Sequence, residues 1–316
     1  MPRPPAPEAT RKREQLSKPK THLLIDGDII AFMSAAAAQG IWIDSAGWHQ
    51  PIANETEGEA IVENVLHGLK TGLKGDSYSV YLSDPEDNWR KQVDPTYKAT
   101  RADLQRPMLL DYLKQYLRDN HGATHWAGLE ADDVLGILAT DPKHHCGAYP
   151  DDRYVVVGRD KDFKSIPGLH HSIKQDVDAK GNMLVREVSQ WEADRFHMMQ
   201  TLAGDRVDGY FGCPGIGMDR AAVIVDTPMR LIPKEGVKTR GVNKGEAVTK
   251  WVGEPTQDYW ACIVSHYAKA GLTEDDALRT ARLARILRYG EYDRETESVT
   301  LWTPDKLKDI RKATAP

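Results

Sequence analysis

The chain has 316 residues, 40% hydrophobic and 28% charged, with a formal net charge of −5. This is ordinary globular composition, long enough for about two domains whose cores need neither disulfides nor a structural metal. Three cysteines (Cys146, Cys213 and Cys262) lie far apart with no CxxC pair, which argues against a disulfide framework and thiolate zinc, and suits a reducing compartment.

Residues 1–20 hold six Lys/Arg against two Glu and no apolar core, so they read as a disordered, proline-rich basic tail rather than a signal peptide. The longest uncharged run, Ile29 to Ile43, is shorter than the about 20 residues that span a bilayer. The chain is therefore expected to be cytosolic. Leu23-Leu24-Ile25 ends in Asp26 and reads as a buried strand. A helix is expected from Glu57 to Leu73, then a strand from Tyr78 to Leu82 just before Asp84. A helix over Pro107 to Arg118 and an apolar stretch from Val134 to Ala139 follow. A third strand, Tyr154 to Val157, stops before Asp160. Strands alternating with helices imply an α/β fold with a parallel sheet, in which ligands bind beyond the carboxyl ends of the strands. Asp26, Asp84 and Asp160 would all sit at that edge. Beyond a hairpin around Asp178 to Asn182, Ser189-x-x-Glu192 is a capping box opening a helix to about Ala203. From Gly204 the pattern changes to glycine-broken helices and a basic loop, with six Lys/Arg against two Glu over 229–250. Thr273-x-x-Asp276 caps a helix containing LRTARLARILR. A domain boundary is placed near residue 200.

Five acidic motifs punctuate this pattern: Asp26-Gly-Asp28, Ser83-Asp84, Glu130-Ala-Asp132-Asp133, Asp160-Lys-Asp162 and Asp205-Arg-Val-Asp208. Each alone has a structural explanation as a loop, an N-cap or a charge at the positive end of a helix. Together they would repel strongly unless divalent cations neutralised them. An all-oxygen donor set points to Mg²⁺ or Mn²⁺, and a pair of ions about 3.5–4 Å apart is the usual phosphoryl-transfer arrangement. In Asn88 to Arg101, Lys98 and Arg101 are spaced to share a helical face, which by itself suits either a solvated surface stretch or cations that draw in a phosphate backbone. Tyr97 or Trp89 is expected either to stack on an unpaired base or to pack. The turn Gly212-Cys-Pro-Gly215-Ile-Gly217 suits an anion-binding backbone nest. His121/His125, His144-His145 and His170-His171 complete no zinc motif, and no GxxxxGK[ST] is present.

LIDGD, LSDPEDNWRKQVDPTYKATR, LEADDVLG, GRDKDFKSI and GDRVDGYFGCPGIG occur in an order that resembles the 5′ nuclease superfamily (flap-endonuclease-like, PIN-type fold). Within it, the chain is most similar to the 5′→3′ exonucleases of short-tailed, autographivirus-type bacteriophages. The resemblance covers about residues 21–303. It implies a parallel central sheet flanked by helices, with a helix-three-turn-helix-type region after it. The organisation is then a tail (1–20), a catalytic domain (21–200) with an arch at about 85–107, and a DNA-binding region (201–316). Carried over motif by motif, Asp26, Asp84, Glu130 and Asp132 resemble the ligands of a first metal, and Asp160, Asp162 and Asp208 those of a second. Asp133 and Asp205 resemble ligands through water or partners of the ligands. No metal is assigned to Asp28. Lys98 and Arg101 would act on the scissile phosphate, and Tyr97, Gly215, Gly217 and Arg220 would contact DNA.

The cofactors implied are two Mg²⁺ or Mn²⁺ ions, and one K⁺ at the helix-hairpin element. The implied activity is 5′→3′ exonuclease and flap cleavage of DNA, with removal of RNA from RNA–DNA hybrids. A monomer acting on duplex DNA in the host cytoplasm, away from any membrane, is expected. Two departures from the family pattern are Gly209, where Asn is common, and Asp219-Arg220, where Lys-Thr is common. Two alternatives are a haloacid-dehalogenase-type phosphatase with Asp26 as covalent nucleophile, and a catalytically inactive, structure-specific DNA-binding protein.

Overall fold

The computed structural model describes residues 20–103, 105–142, 152–173, 175–242 and 244–308. Most of the basic tail, His144, His145 and Cys146 lie outside the described residues. The chain enters through β1 (Thr21–Asp26) and turns at once into α1 (Gly27–Ala37). A ribbon of β2 (Gln39–Ile43) and β3 (His49–Ala53) leads to α2 (Glu55–Gly72) and β4 (Ser77–Tyr81). The short α3 (Arg90–Val93), a 3₁₀ turn (Ala99–Asp103), α4 (Leu110–His121) and α5 (Ala131–Ala139) follow. Then come β5 (Arg153–Gly158), a 3₁₀ turn (Lys161–Ser165), β6 (Gly168–Ser172) and β7 (Arg186–Val188).

Five of these strands form one sheet in the order β4-β1-β5-β6-β7, parallel except for β7. Alternation along the apolar runs supplies both faces. Leu23, Ile25, Val80, Val155 and Val157 pack on one side with α1, α2 and α4, while Leu24 and Val156 meet Leu135, Phe163 and Ile286 on the other. Burial on both faces is why these strands read as uninterrupted apolar runs. Register pairs Asp26 with Tyr81 and Ile25 with Val157, so the three strands end level and the residues after them emerge along one edge. No helix among the described residues is long and apolar enough to cross a membrane.

The second half gathers around another apolar cluster. The Ser189 capping box opens the helix Gln190–Ala203, which donates Met198, Met199 and Leu202 to it. Two-residue strands β8 (Gly204–Asp205) and β9 (Tyr210–Phe211) pair next, followed by the helix Met218–Asp226. Beyond these the chain departs from the glycine-broken helices and loop expected. Residues Met229–Val237 (β10) and Ala247–Pro255 (β11) form a two-stranded antiparallel ribbon of nine residue pairs. Only its turn-forming, lysine-rich tip matches the expectation of a loop. The helices Tyr259–Lys269 and Glu274–Leu283 close the cluster. The latter stops at Leu283, so ARILR is not its continuation. Ile286 and Leu287 instead leave the second half and pack against the first.

One junction fixes where Asp205 and Asp208 can stand. Gly204 has φ +68°, and a Cβ there would lie 2.2 Å from the Gly212 nitrogen, while one on Gly212 would lie 2.4 Å from the Leu202 carbonyl oxygen. The two backbones touch because neither residue has a side chain. Gly212→Ala should therefore lower unfolding free energy by about 3 kcal/mol or more. Gly68→Ala, in open space within α2, should raise it by up to about 1 kcal/mol through helix propensity. Urea titration of both variants, compared with the parent, checks the opposite signs.

Candidate active site

Each acid at the sheet edge does have a local structural role. Asp26 Oδ1 caps α1, accepting from the Asp28 N–H at 3.0 Å and the Ile29 N–H at 3.2 Å. Asp160 Oδ1 accepts from the Asp162 N–H at 2.8 Å. Glu130 is the N-cap of α5, which opens on Asp132 and Asp133, and oxygens of these three lie within 4.8 Å of one another. Asp205 Oδ1 accepts from the Val207 N–H at 2.8 Å, turning the chain toward Asp208.

The same groups also crowd one another electrostatically. Burial pushes the Asp26 carboxyl up to about 7, with Asp28 and then Asp160 adding to it against backbone N–H donors. Burial likewise brings Asp162 up to about 7, aided by Asp160 and, more weakly, Asp205 and Asp208. Asp132 is raised by burial and then by Asp133 and Glu130. Acids from β1, the loop after β5 and the turn after β8 thus share one field, and the α5 acids join it through Lys98 and Tyr97, each of which faces both Glu130 and Asp208. The Asp162 Oδ1 atom is buried and accepts no hydrogen bond.

Cations from residues 90–101 face this field. The Lys98 ammonium bonds Glu130 and lies 3.8 Å from Asp208 Oδ2, and the Arg101 guanidinium bonds Asp208. Burial alone would raise Glu130; Lys98 and then Arg90 overcome it and hold the carboxyl at about 2. Lys98 does not share a helical face with Arg101 as expected. It has φ +56° and precedes the 3₁₀ turn, with its N–H donating to the Asp208 carbonyl at 2.8 Å. Gly209 beneath it has φ +80° and would bring a Cβ to 3.2 Å from the Thr96 carbonyl, so a side chain there would be strained.

The aromatic residues require a correction. Tyr97 is 4% exposed, stacks on Tyr210 at 6.3 Å between centroids, and donates its hydroxyl to Glu130 at 3.0 Å and Asp208 at 3.3 Å. Trp89 is equally buried and donates Nε1–H to Asp133 at 2.9 Å. Neither ring offers a face to a base; both position acids.

Arg90 joins the site although nothing in the sequence separates it from the other cations of its segment. It is fully buried, reaching Asp133 through two nitrogens at 2.7 and 2.9 Å and Glu130 at 3.0 Å. It also donates to the Leu283 carbonyl at 3.0 Å and the Arg285 carbonyl at 2.6 Å. The Leu287 N–H adds a bond to Asp133 at 3.1 Å. With both oxygens taken, Asp133 is not free to bind an ion directly and anchors Glu130 instead.

Other acids are also engaged. Asp84 accepts from the N–H groups of Gly128 at 2.6 Å, Glu86 at 2.8 Å and Asp87 at 3.4 Å, which outweigh burial and hold it below the usual carboxylate range. It lines one groove with Tyr97, Lys98 and Glu130. Asp205 meets Lys161 at 2.7 Å. Asp28 meets Lys114 at 2.6 Å and accepts from the Ser83 N–H at 2.9 Å. His121, discounted as a zinc ligand, contacts Tyr78 and Glu63.

Gly215, Gly217 and Arg220 form a separate local group. Gly215 is exposed with φ +76°, Gly217 is the N-cap of Met218–Asp226, and Arg220 donates to the Gly215 carbonyl at 3.2 Å. Among the described residues they make no hydrogen bond or ion pair to the carboxylates.

No family model matches the chain. It is 35% identical over 293 residues to the exodeoxyribonuclease of Enterobacteria phage T3, covering 89% of this chain and 92% of that protein. It is 36% identical over 295 residues to the exonuclease of Escherichia phage T7, covering 89% and 93%. Among solved structures, a T5 protein co-crystallised with metal ions superposes with a TM-score of 0.50 at 15% identity, over 84% of this chain and 89% of that one. The last likeness concerns the fold alone.

Removing one partner of the buried pair should be costly. Arg90→Met is expected to destabilise the protein by about 3–5 kcal/mol, and Arg90→Met with Asp133→Leu to recover a large part of that loss. Chemical unfolding of the two single variants and the double variant checks this.

Proposed function

The chain belongs to the 5′ nuclease superfamily, beside the phage exonucleases, and from that premise we propose a divalent-metal-dependent 5′→3′ exodeoxyribonuclease that also cuts 5′ flaps and RNA–DNA hybrids. The observation that carries this reading is the joining of acids from four separate chain segments at the carboxyl edge of a parallel sheet, with Lys98 and Arg101 turned into them. A phosphatase using Asp26 as nucleophile has no need of α5's acids or of the second group at Asp205 and Asp208.

The donor set fits Mg²⁺ or Mn²⁺: carboxylate oxygens only, three of them clustered at α5, and a buried Asp162 oxygen with no proton donor. Asp26, Glu130 and Asp132, with Asp84 at the margin, would hold one ion. Asp160, Asp162 and Asp208 would hold the other, supported by Asp205. When bound, such ions activate water at neutral pH and neutralise charge growing on phosphate oxygens. The chain's own residues do the rest. Lys98 and Arg101 swing from Glu130 and Asp208 toward the incoming phosphate, where their charge favours the pentacoordinate transition state. Tyr97 and Arg90 keep Glu130 fixed and ionised as they do so. Gly215 and Gly217 offer backbone to the duplex away from the cut, with Arg220 at a phosphate. A K⁺ ion there would share the Gly215 carbonyl with the Arg220 guanidinium, whose charge opposes it. The proposal includes a division near residue 200 into catalytic and duplex-binding parts, a monomer, and action in the host cytoplasm.

Digestion of one duplex labelled separately at each 5′ and 3′ end is expected to release the 5′ label first; 3′ release would reverse the polarity. Asp132→Ala and Asp162→Ala should each abolish turnover while DNA binding in Ca²⁺ persists. Lys98→Ala should lower kcat by about 10²-fold or more without unfolding the protein. Millimolar Mg²⁺ should raise Tm, because the ions bind the assembled cluster and not the unfolded chain. An unmoved Tm would count against the ligand set.

A further inference from the structure

The β10–β11 ribbon is a long element that rests on the helix Tyr259–Lys269, where the Leu231 N–H donates to Ser265 Oγ at 2.9 Å. Nine residues per strand at about 3.3 Å each give an arm roughly 30 Å long, yet none of its described residues is buried. Its own bonding therefore explains the twist and pairing but not the side chains it displays.

Those side chains carry an electrostatic cost. Register pairs Lys234 directly with Lys250, on the face that also bears Arg230 opposite Glu254. Like charges directly opposite one another destabilise a two-stranded sheet. Lys234 has only a distant partner, Glu254 at 3.8 Å, and both side chains are more than half exposed. Lys250 lies along Gly236, whose Cβ position is 3.7 Å from the lysine stem. Gly236 thus leaves room for that stem on the same face. At the tip, Lys238 is paired with Glu246 at 2.8 Å, but Arg240 and Lys244 are exposed. Among the described residues Arg230, Arg240, Lys244 and Lys250 form no ion pair. The ribbon follows directly on the helix whose N-cap is Gly217.

We propose that the β10–β11 ribbon is a second grip on nucleic acid: its cationic face, led by Lys234 and Lys250, lies along the phosphate backbone of the duplex without reading bases. This rests on the nuclease reading above. A polyanion relieves the Lys234–Lys250 repulsion, and phosphates rather than bases are what point charges on flexible stems recognise. An arm of roughly 30 Å would run beside about nine base pairs at 3.4 Å each. Its role is to hold the duplex, so it acts on affinity and not on the bond-breaking step.

The test uses the full chain and a blunt 30-base-pair duplex in Ca²⁺, with affinity measured by fluorescence anisotropy from about 50 to 300 mM KCl. Lys234→Gln/Lys250→Gln is expected to reduce the slope of log affinity against log salt by about 1.8, that is 0.9 for each phosphate no longer neutralised. Affinity at about 0.1 M salt should fall roughly tenfold or more, while Tm holds or rises and kcat at saturating duplex is unchanged. Lys70→Gln/Lys74→Gln, in α2 and the turn after it, removes the same charge and should leave the slope alone. An unchanged slope in the ribbon variant, or an equal fall in the control, overturns the proposal. A weaker slope on single strands but not on duplex also overturns it. If the unmodified protein neither binds nor cuts duplex, the nuclease reading has failed instead, and the two failures are distinguishable.

Discussion

Carboxylate repulsion is the constraint around which this molecule is arranged. Acids brought together at one edge of a parallel sheet cannot all remain charged in a partly buried site, and the protein answers with cations of two kinds. Arg90 is locked in place, its guanidinium filled by Asp133, Glu130 and two carbonyls. Lys98 and Arg101 are only partly covered and bonded to the same acids. The first kind gives the site a fixed floor. The second keeps its charge within reach of solvent, as the role proposed above for Lys98 and Arg101 requires. One stretch of about a dozen residues, Arg90 to Arg101, provides both, and Lys98 within it is left-handed.

Much of this was legible in the sequence for a plain physical reason. Strands buried on both faces must be apolar throughout, so Leu23 to Ile25, Tyr78 to Leu82 and Tyr154 to Val157 declare themselves, and the acids after them must emerge together. Capping boxes at Ser189 and Thr273 declare helix starts just as directly. What escaped depended on distant partners. Arg90 looks like its neighbours until Asp133 and Leu283 close around it, 43 and 193 residues away. Tyr97 and Trp89 carry a polar tip on an apolar ring, and nothing local says which will be buried. The β10–β11 ribbon escaped because its two strands bury no side chain and so lack the clean in-out alternation of a core strand.

The structural role of the acidic motifs is compatible with the ligand role proposed for them. Capping Asp28 and Ile29 engages Oδ1 of Asp26, and the capping contact of Asp160 also uses Oδ1. A strand followed by a capped helix is what sets each acid at the sheet edge and limits its rotation. The cap positions the carboxylate through one oxygen and leaves the other outside the capping contact. Asp133 and Asp84 mark where this sharing ends, since every lone pair in the first, and most in the second, is drawn into the scaffold.

The Arg90 contacts also bear on how the protein comes into being. Two of its acceptors are the carbonyls of Leu283 and Arg285, and Asp133 takes its last bond from the Leu287 amide, 154 residues further along the chain, so the floor of the site is completed from the second half. Residues 21–208 contain all of the clustered acids together with Lys98 and Arg101, yet they do not contain this seal. A fragment that stops before Leu283 lacks these three hydrogen bonds, leaving the Arg90 guanidinium and Asp133 under-bonded inside an apolar wall, so the first half is expected to close poorly by itself.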